Sequence, residues 1–294
     1  MDTQVPRTLG GVAALPAVLA LILGARGGPV PAPAALLDAL TRAPAGGGRA
    51  AAATHPLLGA RYQLSALGEG GGLDPDPRFR LDAFDCLTFV ETAIALGSSR
   101  TLDEAARALD DIRYQGAPAF AARHHEVQAQ WIPANLARGW IAEITRELVG
   151  ARAVSIARDH TAESWAAVRR AGRSIAGWPR DREPIGHFET WAVRPEDLAS
   201  IEQRIPGGTV IVVLREDEPR RPTRVSHAGL VVLGSAGERL VRHATSTPGL
   251  ERVIEEPLAR FVAREARAYP AWPLAGFALY AIPDSSARVA SLAR

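Results

Sequence analysis

One cysteine and two histidines carry the reactive potential of this 294-residue chain. Cys86 is its single cysteine and stands in FDCLTFVETAIAL, residues 84–96, after Asp85 and ahead of an apolar run. His227 and His243, two of seven histidines, lie in VSHAGLVV and LVRHATS. A thiol attacks a carbonyl as thiolate, and free cysteine titrates near ~8.5, so it needs activation. The start of a helix and an adjacent imidazolium both lower that value. The imidazole then protonates the leaving amine, a third polar group fixes its tautomer, and backbone N–H groups at the helix start hold the oxyanion. This chemistry makes Cys86 the nucleophile, His227 the acid/base and His243 the orienting group of an amide hydrolase. The same three residues could hold a zinc ion, but metal signatures bring closely spaced ligand pairs. His124 and His125 are adjacent in HHE, so their side chains diverge on most backbones. No metal or organic cofactor is expected.

The elements that must position these groups follow from periodicity. Phe84, Leu87, Val90 and Ile94 fall at helical spacing, with Asp85 as cap and Gly97-Ser98-Ser99 as stop. Further helices are expected from residue 101 or 102 to 114, in the second half of 123–150, over 161–173, and in PEDLASIEQRI ending at Pro206. After Pro206 the pattern turns to strands: GTVIVVL, VSHAGLVVL, ERLVRHAT, a run near residues 250–254, a helix over 257–267 and a last strand GFALYAI. By period-two alternation His227 shares a face with Val225, Gly229 and Val231, and a hairpin would bring both imidazoles to one end of the sheet. Helices first and consecutive strands later is the signature of an α+β fold with an antiparallel sheet.

Composition narrows the classes. Hydrophobic residues at 47% supply a core, and a net charge of +2, with no lysine and no long basic run, excludes a nucleic-acid binder. LGGVAALPAVLALILGA, residues 9–25, is close to the ~7–15 residues of a signal-peptide core and short of the ~20 that span a bilayer. Residues 1–25 therefore read as a signal peptide or N-terminal anchor, 26–50 as a flexible linker, 51–285 as a cysteine hydrolase domain and 286–294 as a C-terminal tail. The protein is expected to be exported, periplasmic or extracellular, monomeric, and without stable membrane insertion once the signal is removed. A lone thiol in an exported chain has no intramolecular disulfide partner.

FDCLTFVETAIAL, RHH, QWIPANLARGW, EITRELVG, GGTVIVV, SHAGLVV and RHATS follow one another in the order of the N-acetylmuramoyl-L-alanine amidase-like proteins, a branch of the NlpC-type cell-wall cysteine hydrolases, which the chain resembles over residues 55–282. The resemblance implies a papain-like core, the nucleophile helix packed on an antiparallel sheet with extra helical insertions, and a Cys86-His227-His243 triad acting on peptidoglycan or muropeptides without a cofactor. It assigns Tyr62, Asp85, Trp131 and Asn135 to the substrate site. The chain departs from the family at Gln130, where an acid is usual, and in the longer segments GGGLDPDP and RDREPIGHFET. The expected cut is the amide between N-acetylmuramic acid and L-alanine. The alternatives are a stem-peptide endopeptidase, for which Arg61 or Arg78 could recognise a carboxylate, and a non-catalytic wall-binding module.

Overall fold

Cys86 opens helix α3 because the sequence caps that helix at the residue before it. The computed structural model describes residues 33–293; the expected signal segment, residues 1–25, lies outside them. Four helices come first: α1 (Pro33–Arg42), α2 (Gly47–Thr54), α3 (Cys86–Ser98) and α4 (Leu102–Arg113). Short strands β1 (Arg61–Tyr62) and β2 (Ala83–Phe84) lead into α3. Asp85 and Thr88 form a capping box at its start: the Asp85 carboxylate accepts from the Thr88 amide at 2.8 Å and Thr88 Oγ1 accepts from the Asp85 amide at 2.9 Å. Gly97, a poor helix former, is used for proximity. A Cβ there would meet Ala50 Cβ and the Gly46 carbonyl at 2.9 Å, so its absence lets α2 lie against α3.

The rest of the chain is dominated by strands: β3 (Ala142–Glu143), β4 (Val154–His160), β5 (Gly186–Ala192), β6 (Thr209–Arg215), β7 (Val225–Leu233), β8 (Arg239–Thr245), β9 (Arg252–Pro257) and β10 (Leu274–Ala281). Helix α5 (Ala162–Arg170) joins β4 to β5, and α6 (Leu258–Ala268) joins β9 to β10. The main sheet runs β2-β1-β9-β8-β7-β6-β10-β3, antiparallel except for the β1–β2 pair. Both faces of its centre are covered, which is why β6 is apolar at nearly every position. Val210, Val212 and Leu214 face the core built on α3, while Ile211 and Val213 face a second core with Phe261 of α6. The α+β class with an antiparallel sheet stands.

Three expectations give way to packing. Much of the expected linker is ordered: Leu36 and Leu40 of α1 and Ala50 of α2 are buried in the main core. At the other end, within the stretch read as a C-terminal tail, helix Ser286–Ser291 buries Val289, and Arg288 bonds Asp111. The face expected for Val225 is also wrong. The β6–β7 register shifts by one between Val213↔His227 and Leu214↔Val225, a bulge at Ser226 that turns Val225 toward the α3 side while Gly229 and Val231 keep their alternation with His227. The β4–β5 hairpin was not foreseen. Its strands interleave Ser155, Arg158 and Glu189 with Val154, Ile156 and Trp191 and pair only with each other. With Trp165, Val168 and Trp178 the insertion builds a small core of its own.

Candidate active site

Helix α3 packs against β7 and β8 and carries the partly exposed Cys86 to their edge. Burial pushes the thiol up to about 12, reinforced by the Asp85 carboxylate and opposed by the amide of Ala228, the residue after His227. Burial thus works against the thiolate that the helix start favours. The candidate base is shifted by burial as well. Burial, then His243, Arg264 and Arg215, hold the His227 imidazole well below its ordinary value, so it is neutral and able to accept a proton.

The two histidines meet as the hairpin reading required. His227 Nε2 lies 2.9 Å from His243 Nδ1, with the rings near perpendicular. Gly229 makes room for this, since a Cβ there would stand 3.1 Å from His243 Cβ and 2.8 Å from Val241. His243 is fully buried, and its Nε2 lies 3.1 Å from Glu256 Oε1. Against burial, bonds from His243 and Arg264 hold the Glu256 carboxyl below the usual range, so it is ionised and can only accept. Arg264 Nη2 also stands 3.2 Å from His243 Nε2. With Glu256 taken as the partner of the Nε2 proton, His243 Nδ1 accepts from His227 Nε2–H and His227 Nδ1 carries the lone pair. Arg264 clamps Glu256 at 2.6 Å, and Phe261 closes over both rings.

Glu256 was missed by sequence reasoning, although its signal exists. His243 pairs with Ile254 in the β8–β9 ladder, and Glu256, two residues on, shares that face diagonally. Only the register reveals it. His227 also lines a cavity of about 580 Å³ with Thr245, Ser246, Arg264 and Tyr269. Tyr62, on β1, is half-buried, and burial, followed by Cys86 and Asp85, pushes its hydroxyl up to about 12. It stays a neutral hydrogen-bonding group beside the thiol.

The remaining expected site residues do other work. Trp131 and Asn135, assigned to the substrate site, are 0% exposed and out of a substrate's reach. Trp131 donates to Glu91 at 3.0 Å, and Asn135 donates to the carbonyls of Trp131 and Ile112. Asp85 commits one oxygen to Thr88 and the other to the Ser65 amide at 2.9 Å, so it positions the helix start. Arg78 is bonded to Asp110, and Arg61 lies 4.0 Å from Asp82. In the HHE trio, His125 bonds the Phe120 carbonyl, while Glu126 caps the turn that begins at Val127. Among the described residues no group of three or more His, Cys, Asp or Glu is arranged to hold a metal.

A family model described as N-acetylmuramoyl-L-alanine amidase-like matches residues 52–268. Similar solved structures include a Legionella pneumophila protein of the DUF1460 family, 20% identical, covering 84% of this chain and 89% of that one at a TM-score of 0.67. An N-acetylmuramoyl-L-alanine amidase from Bacteroides uniformis is 17% identical over 85% of this chain and 98% of its own, with a TM-score of 0.59. A Bacteroides fragilis protein described as a candidate xylanase is 19% identical over 76% and 96%, at 0.57. At such identities the likeness concerns the fold. No curated relative matches the chain.

Proposed function

The chain belongs to the N-acetylmuramoyl-L-alanine amidase-like family, and we propose that it is a cysteine hydrolase cutting the amide between N-acetylmuramic acid and L-alanine in peptidoglycan. The observation that carries this reading is the chain from Glu256 through His243 to His227, on the strand whose Ala228 amide meets the Cys86 thiol. The Cys86 sulfur attacks the lactyl carbonyl carbon while its proton passes to His227 Nδ1. Asp85 uses the amides of Thr88 and Phe89, so we assign the oxyanion to the amides of Cys86 and Leu87 at the helix start. As the C–N bond breaks, His227 returns the proton to the L-alanine nitrogen and a thioester remains. Water, deprotonated by His227, releases the lactyl carboxylic acid and restores the thiol.

The ionised Glu256 stabilises the positive charge that the two imidazoles share after the first transfer. A neutral thiol–imidazole pair also suits an exported enzyme, because a protonated thiol resists oxidation better than a thiolate. The arrangement of a cysteine at a helix start and histidines on neighbouring antiparallel strands is the one expected of papain-like, NlpC-type hydrolases. Because the proposed substrate is a wall polymer, we place the enzyme outside the cytoplasm; no described helix is long and apolar enough to cross a membrane. Xylan hydrolysis would call for two carboxylates flanking the scissile bond. The cavity wall offers Glu265 alone, already bonded to Arg215 and Arg264.

Digestion of a disaccharide-tetrapeptide, read by mass spectrometry, tests the assignment. Free disaccharide and a tetrapeptide beginning at L-alanine are expected. Disaccharide still bearing L-alanine and D-glutamate would replace the amidase by an endopeptidase.

A further inference from the structure

The cavity that holds His227 has a basic wall. Arg260, Arg264 and Arg267 line it against a single carboxylate, Glu265. That carboxylate is neutralised from within, its oxygens lying 2.8 Å from Arg215 and 3.0 Å from Arg264. The three arginines recur at four- and three-residue steps along α6, which places them on one side of the helix. Arg264 is turned inward onto Glu256, whereas Arg260 is 76% exposed and 3.6 Å from the same carboxylate, and Arg267 is exposed. The open side of the cavity thus carries a surplus of positive charge.

The chemistry of the nucleophile gives this cavity a direction. The imidazole that accepts the thiol proton must deliver it to the departing nitrogen. The amine half of the substrate therefore leaves across His227, and the acyl half lies on the other side of Cys86. We infer that the Arg260-Arg264-Arg267 wall is a leaving-peptide subsite for an anionic chain, binding the free α-carboxylate of the D-glutamate that follows L-alanine in the stem. This rests on the amidase reading and deepens it. Cleavage before L-alanine releases a peptide with that carboxylate next to its new amino terminus. Cleavage after D-glutamate would instead send a diamino acid, with a second ammonium group, toward three guanidinium groups.

Two disaccharide-tetrapeptides that differ only at D-glutamate, free acid against α-amide, test the subsite. We expect wild-type kcat/KM to favour the acid about fivefold, as a partly exposed charge pair allows, and the ratio to shrink as salt rises. In the double variant Arg260→Gln, Arg267→Gln the ratio should approach unity, and Arg267→Lys should keep most of it. Because the comparison is a ratio on one preparation, partial unfolding would lower both rates and leave it unchanged. Equal rates in the wild type, or a preference that survives the double variant, overturn the subsite while the amidase reading stands. Failure to cut either substrate at the muramyl amide overturns both.

Discussion

The two sides of helix α3 hold comparable sets of buried charges and use them differently. On one side Glu91 and Arg113 pair with each other, and Glu91 also accepts from Trp131 Nε1, all three nearly inaccessible. Beside them Arg123 bridges Glu69 and Asp74. Each charge there faces its opposite, in a set that borders a small cavity with Asp85 and Leu87. On the other side the chain Glu256, His243, His227 is closed at one end by Arg264 and open at the other, toward Cys86 and the cavity. An open-ended chain has a lone pair to offer. On the proposed reading the paired set serves the fold and the open-ended chain serves the reaction.

If that division is right, substitutions on the two sides damage different properties. The largest effect belongs to the open side. Cys86→Ala, or His227→Ala, should lower kcat/KM by about a thousandfold or more with little change in Tm, since each removes a group that acts only in the reaction. Near wild-type turnover by Cys86→Ala would end the assignment.

The paired side should respond in stability. Glu91→Ala leaves Arg113 buried without its carboxylate and Trp131 Nε1 without an acceptor, a loss of about 3–5 kcal/mol. Denaturant titration measures this, and kcat on the folded fraction should hold. If kcat collapsed while stability held, the two sides would be wrongly divided.

Acid should act through buried imidazoles on both sides, since His227 and His243 are lowered by burial as well. Burial lowers His124 and His125 to about 4, and His160 in the hairpin insertion likewise. These rings are neutral when folded and titrate near ~6.5 when unfolded. Their contribution is complete above that value and is lost as pH falls from it toward about 4. A Tm that falls by several degrees between pH 7 and pH 4.5 is expected, and an unchanged Tm would count against it.

The smallest effect sharpens the open chain itself. Glu256→Gln keeps an acceptor for His243 but removes the charge, so kcat should fall about tenfold. Glu256 is one of the groups that raise His243, against burial. Its loss should move the acid limb of the kcat/KM profile to lower pH, a shift that a merely structural defect would not produce.

The open side was more legible in the sequence than the paired one, apart from its last member. Cys86 announced itself by scarcity and by the capping pattern around Asp85, and His227 and His243 by sitting on consecutive strand runs. Glu256 was hidden because strand register is a tertiary property and one glutamate among several carries no mark. Trp131 and Asn135 misled for the opposite reason: a motif shared with a family marks positions under constraint, and here the constraint is packing around Glu91 and Ile112. The β4–β5 hairpin was lost because its strands mix charge with apolar residues. Helices α1 and α2 were lost because alanine- and glycine-rich sequence reads as linker until Gly97 shows how closely α2 is held.

The most direct test of the central claim is the mass of the intact protein, acid-quenched during turnover of a disaccharide-tetrapeptide. The account predicts an adduct at Cys86 equal to the disaccharide lactyl acyl group with no amino acid attached. An adduct on another residue, or one at Cys86 that carries L-alanine and D-glutamate, would contradict it.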